Sequence, residues 1–172
     1  MIPAIAILIF AWSLKGMGDA LEIGTFVKTI VGTNASASVI LPAILFLVAI
    51  FLSFSTGTSW GTFAILVPIA IAMFPGADNM QMMIIAVSAV LSGAVCGDHV
   101  SPISDTTVMS SAGAQSNHIN HVTTQMQYAA VVAVVSAVGF LLAGFVHVWW
   151  IVLGVSLILL LAVLTVLRKV AK

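Results

Sequence analysis

The chain has 172 residues, 62% of them hydrophobic and 6% charged, with five basic and five acidic side chains and no net charge. A water-soluble domain carries about 25% charged residues, so these few charges cannot coat this surface and the bulk solvent must be lipid. Zero net charge argues against a nucleic-acid partner, which needs a basic stripe, and the single cysteine, Cys96, excludes an internal disulfide or a multi-cysteine metal site.

Met1-Ile2-Pro3 lacks a basic n-region and Ala11-Trp12-Ser13 is a poor cleavage site, so no removable signal peptide is expected. The chain begins inside an apolar run, which reads either as a native start or as a longer protein cut at an internal methionine. Apolar runs occupy 2–14, 39–54, 61–74, 83–96, 126–146 and 149–167. The first gives way to Lys15, Asp19 and Glu22, where Lys15 and Asp19 have the spacing of a helical ion pair. Runs 39–54 and 61–74 flank the polar, uncharged stretch Ser55–Trp60. Each limb falls short of the about 20 residues a full crossing takes, which predicts a re-entrant hairpin over 39–74. Trp60 at its tip reads as a packing plug. The next run ends in Gly97-Asp98-His99-Val100-Ser101-Pro102-Ile103-Ser104-Asp105-Thr106-Thr107. Pro102 cannot continue a helix, so 81–114 is expected to be a broken, discontinuous one. Only 126–146 and 149–167 are long enough to be ordinary spans, with Trp149 and Trp150 as headgroup-level anchors. Arg168, Lys169 and Lys172 favour a cytoplasmic C-terminus. Counting back, Gln115–Thr124 is then cytoplasmic, the hairpin opens outward, and Lys28 lies on the outer side against the charge rule.

Polar backbone at membrane depth survives only where protein buries it or where it lines a wet cavity. Short hydrophobic segments interrupted by glycine or proline are pointers to a transporter's binding site. Around the Pro102 break, Asp98 and Asp105 are surrounded by Ser101, Ser104, Thr106 and Thr107. A broken helix frees carbonyls at one end and amides at the other, and with hydroxyls and a carboxylate this makes an all-oxygen cage for a hard cation such as Na+. A poorly solvated carboxylate also takes up a proton, so Asp105 and Asp98 are the residues expected to hold either Na+ or H+. The plainer reading of Asp105 is a helix cap. Ser55, Thr56, Thr58 and Ser59 offer further hydroxyls, with a serine- and threonine-rich cap for run 61–74 as the alternative. His118 and His121, in a polar loop, are expected to face solvent, and the methionines and Cys96 to be packing elements.

The run Cys96–Thr107 resembles the signature of the NhaC-type Na+/H+ antiporter family, as does Phe54-Ser55-Thr56-Gly57-Thr58-Ser59-Trp60-Gly61-Thr62. Ala11-Trp12-Ser13-Leu14 and His118-Ile119-Asn120-His121-Val122 are similar to that family in the same order. The resemblance implies a secondary transporter of two inverted repeats, of which residues 1–172 resemble the C-terminal one. It also implies exchange of Na+ for H+ with no bound cofactor. Members that exchange carboxylates or amino acids keep a second substrate class open.

Rival classes do not fit. A rhomboid-like protease needs Gly-x-Ser-Gly, whereas Val90-Leu91 precede Ser92-Gly93. An aspartyl type needs Gly-x-Gly-Asp, whereas Val95-Cys96 precede Gly97-Asp98. A non-transporting fragment or structural membrane subunit explains the hydrophobicity but not three polar breaks. The expectation is an all-α integral membrane transporter half, not an enzyme, in a bacterial-type inner membrane. Its expected partners are the lipid bilayer and either an N-terminal half or a second copy in a homodimer.

Overall fold

A computed structural model describes residues 35–74 and 76–170, with the isolated positions 13, 17 and 20. The expected Lys15–Asp19 pair, Glu22, Lys28 and Lys172 lie outside the described residues. Among these residues every regular element is helical: α1 (Ala35–Thr56), α2 (Ser59–Met73), a 3-10 turn at Ala77–Asn79, α3 (Met80–Val100), α4 (Asp105–Gly113), α5 (His118–Phe145) and α6 (Trp149–Val170). Among the described residues, four segments are long and apolar enough to cross a membrane: Ser38–Thr56, Ala77–Val100, His118–Phe145 and Trp149–Lys169. This is an integral membrane protein.

The helices outrun the apolar stretches that predict them. α1 has 22 residues and α3 has 21, about 33 Å and about 32 Å at 1.5 Å per residue, which is membrane length. Expectation counted apolar side chains, but a backbone in lipid must pair its own N–H and C=O groups whatever its side chains are. The helices therefore continue through Ser55 and Thr56 in α1 and through Gly97, Asp98 and His99 in α3. Only α2, at 15 residues, stays near the expected length.

Small residues set the packing. A Cβ on Gly93 would collide with the Phe46 carbonyl, and one on Gly97 would collide with the Ile50 carbonyl. These pairs advance together along the two helices, so α1 and α3 run parallel with their backbones nearly touching. Without a hydrophobic force between helices in lipid, such close approach supplies the dispersion contact that holds them. α5 runs antiparallel to α1: Gly144 abuts the Val39 carbonyl, while the Phe46 and Phe140 rings lie 5.1 Å apart. α2 folds back into a buried cluster with both neighbours, through Leu66 and Ala70 against Leu45, Ala49, Val90 and Ala94. α6 lies outside, packed on α5 where Gly139 meets Ser156, with none of its span buried. Trp60 is 72% exposed with its ring edge-on to Phe63, so it is not the plug expected.

Candidate functional site: a buried carboxylate between two helix ends

The α1–α2 connection is two residues long, and Gly57 makes it possible. Its φ of +68° is a left-handed conformation that side chains disfavour, and a Cβ there would lie 2.8 Å from Ile103 Cγ1 and 3.0 Å from the Ile103 carbonyl. The tip of one turn is thereby pressed against the turn between α3 and α4. Thr58 caps α2 by accepting from the Gly61 N–H at 3.5 Å.

The second turn, Ser101–Ser104, follows from Pro102. The Ser101 N–H donates to the Asp98 carbonyl at 3.2 Å and the Ser104 N–H to the Ser101 carbonyl at 3.3 Å. The last carbonyls of α3 must find partners, and Thr107 supplies one by donating to the His99 carbonyl at 3.1 Å. Ser101 donates across to the Phe54 carbonyl of α1 at 2.7 Å. Both turns are thus tied to each other by backbone contacts.

Asp98 sits between them. It is 6% exposed, and from described residues its carboxylate receives two hydrogen bonds, from Ser59 Oγ on Oδ2 at 3.1 Å and from Ser104 Oγ on Oδ1 at 2.7 Å. Ser59 opens α2, and Ser104 is the residue preceding α4. Ser104 makes no side-chain cap for α4 and gives its hydrogen to Asp98 instead. Thr106 Oγ1 lies 2.7 Å from Ser104 Oγ. Since the Ser104 hydrogen points to the carboxylate, Thr106 is the donor in that pair.

The structure thus brings Asp98, Ser59, Ser101, Ser104, Thr106 and Thr107 into one neighbourhood. It separates Asp105, Ser55 and Thr56 from it. Asp105 is exposed at the first position of α4, where its Oδ1 accepts the Thr106 N–H at 2.8 Å. Ser55 and Thr56 are exposed and donate back to the Phe51 and Leu52 carbonyls of their own helix. Thr58 serves the α2 cap.

Three features escaped the sequence reading. Ser53 is wholly buried with no partner for its hydroxyl, in the α1 turn that Gly97 packs against. Its one signal is a polar residue near the end of an apolar run. Gln125 has a buried Oε1, likewise unpartnered. His118 is half-buried rather than solvent-facing, with Nε2 2.8 Å from the Pro102 carbonyl and Nδ1 3.0 Å from Ser111 Oγ. It braces the turn from the α5 side. No group of three or more His, Cys, Asp or Glu side chains gathers among the described residues, and the atoms around the Asp98 carboxylate are hydroxyl oxygens.

Residues 1–145 match the model of the Na+/H+ antiporter family. The chain belongs to that family. It is 48% identical over 147 residues to an uncharacterized protein of Haemophilus influenzae, covering 86% of this chain and 28% of that protein. It is 33% identical over 97 residues to the malate-2H+/Na+-lactate antiporter of Bacillus subtilis, covering 56% of this chain and 20% of that protein. The chain therefore spans under a third of the length of either relative. No solved structure matches.

Proposed function

We propose that this chain carries the cation site of a Na+/H+ antiporter and that Asp98 is the group at which the two ions compete. The observation that carries this reading is the burial of Asp98 between two helix ends, where two neutral hydroxyls are its hydrogen-bond donors among the described residues. A carboxylate out of water is costly unless a cation or a proton neutralises it. Either ion does so, and one carboxylate cannot hold both. Na+ as substrate would draw oxygens from Asp98, Ser59 and Ser104, and the Ser53 hydroxyl, buried in the α1 turn that Gly97 packs against, is a further candidate oxygen. The proton would sit on the carboxylate itself.

On this reading the α1–α2 hairpin is re-entrant. α2 measures about 22 Å, short of the hydrocarbon thickness of about 30 Å, which supports a returning limb that does not cross, although α1 is itself of membrane length. α3 and α4 act as the two halves of one interrupted helix about the Ser101–Ser104 turn. The uncovered outer faces and the partial coverage of relatives support assembly with an N-terminal half or a second copy. Arg168 and Lys169, ending α6, support a cytoplasmic C-terminus in a bacterial inner membrane. Asp105, exposed, acts on the approach of the ion rather than in its cage. The likeness to a Bacillus subtilis malate/lactate exchanger favours a second reading, in which a carboxylate travels with the ions.

Proton movement driven by Na+ gradients, followed in membrane vesicles from cells expressing the protein, tests this. Asp98→Asn should abolish it, and Asp105→Asn should lower it less. Malate or lactate gradients replace Na+ as the driver only if the second reading holds. An Asp98→Asn protein that exchanges at the unmutated rate refutes the assignment.

A further inference from the structure

An open cleft of about 400 Å³, formed by polar residue types, lies among the end of α3, α4 and the start of α5. It is lined by His99, Thr106, Thr107, Ser110, His121 and Gln125. Resting on the reading of Asp98 above, we propose that this cavity is the vestibule through which a hydrated monovalent cation reaches Asp98 from the membrane face where α5 begins.

Donor accounting identifies the ligand class. Thr107 spends its hydrogen on the His99 carbonyl, and Ser110 donates to the Thr107 carbonyl at 3.0 Å. Thr106 donates to Ser104. All three hydroxyls therefore retain only acceptor lone pairs. His99 Nδ1 lies 2.9 Å from the Val95 carbonyl, which only a protonated Nδ1 can bond, so neutral His99 presents a bare Nε2. His121 Nε2 lies 3.4 Å from Ser110 Oγ, whose hydrogen is already committed, and the tautomer that donates there leaves Nδ1 as an acceptor. Gln125 also lines the cavity, with its unpartnered Oε1 buried out of reach of water. The lining is thus rich in acceptors and carries no fixed positive charge, which suits a cation and its waters and disfavours a carboxylate. At about 30 Å³ per water, the space holds an ion with several waters of its shell.

The route inward is equally specific. Thr106 lines the cavity, Ser104 is wholly buried behind it, and Asp98 follows, with 2.7 Å between successive oxygens. These two hydroxyls are the last side chains between the cavity and the carboxylate. Outward, polar residues fill the start of α5 as far as Gln125, where the apolar run begins, so the chamber lies at the membrane's edge. Exposed Asp105, next to Thr106, adds an attractive negative charge at its rim.

Thiol labelling tests this in vesicles from cells expressing the protein in a Cys96→Ala background, with Na+ as the probe. Ser110→Cys stands in the cavity and Met109→Cys is exposed on the same helix outside its lining. A positively charged methanethiosulfonate on Ser110→Cys should slow Na+-driven proton flux by about tenfold or more, the low end of what charge in a cleft does to rates. The same reagent on Met109→Cys should not, and Gln125→Cys repeats the comparison from α5. Full labelling of Ser110→Cys and Gln125→Cys without slowing overturns the vestibule. So does slowing by a negatively charged reagent alone, which would mark an anion site. Asp98→Asn is the separate control. Flux that survives it overturns the reading of Asp98, and with it the vestibule, whereas loss of flux there with an insensitive Ser110→Cys overturns the vestibule alone.

Discussion

At the scale of single residues, Ser53 separates a structural role from a binding one. Its hydroxyl is buried without a partner, a state that costs about 1–3 kcal/mol. If the group only fills space, Ser53→Ala relieves that cost and raises the thermal midpoint of the detergent-solubilised protein. If it completes the cation shell, Ser53→Ala still raises the midpoint without Na+, but Na+ then stabilises the variant less than the unmutated protein. The account predicts the second pattern, read from melting curves with and without Na+. Asp98 and Asp105 look alike in sequence, each beside serine and threonine. Read from sequence, both belong to the ion site and Asp105 is favoured. Asp105 is instead exposed and Asp98 is the buried one, a difference that depends on Ser59, 39 positions from Asp98.

At the scale of elements, glycine decides how closely the two turns approach. Gly97→Ala places a Cβ into the Ile50 carbonyl, against backbone that cannot swing aside. Overpacking of this kind costs about 1–3 kcal/mol, and here it also parts α1 from α3 beside Asp98. Gly57→Ala adds about 1–2 kcal/mol of left-handed strain to its contact with Ile103. Both variants should melt lower, and both should weaken the Na+-dependent shift in melting, whereas Gly113→Ala, with open space at its Cβ, should do neither. The break at Pro102 was legible because proline cannot donate. The lengths of α1 and α3 were not, since hydropathy stops at the first polar side chain while the hydrogen-bond ladder runs on to Thr56 and Val100. His118 was read as solvent-facing because its neighbours are polar, although its partner, the Pro102 carbonyl, is a backbone group that no side-chain pattern announces.

At the scale of the whole molecule, α5 and α6 are antiparallel neighbours of membrane length, so the segment preceding α5 and the end of α6 share a face. Ser116→Cys and Lys169→Cys, each in a Cys96→Ala background, should be labelled by an impermeant reagent from the cytoplasmic side, and Val148→Cys from the other. Labelling of Ser116→Cys and Lys169→Cys from opposite sides would break this arrangement. The bundle brings two short turns from distant parts of the chain onto one carboxylate, and competition there is the central claim. Proton release on adding Na+ to the purified protein in weakly buffered solution measures that competition most directly. The account predicts that Na+ displaces a proton from the unmutated protein and none from Asp98→Asn. Equal release from both proteins would contradict it.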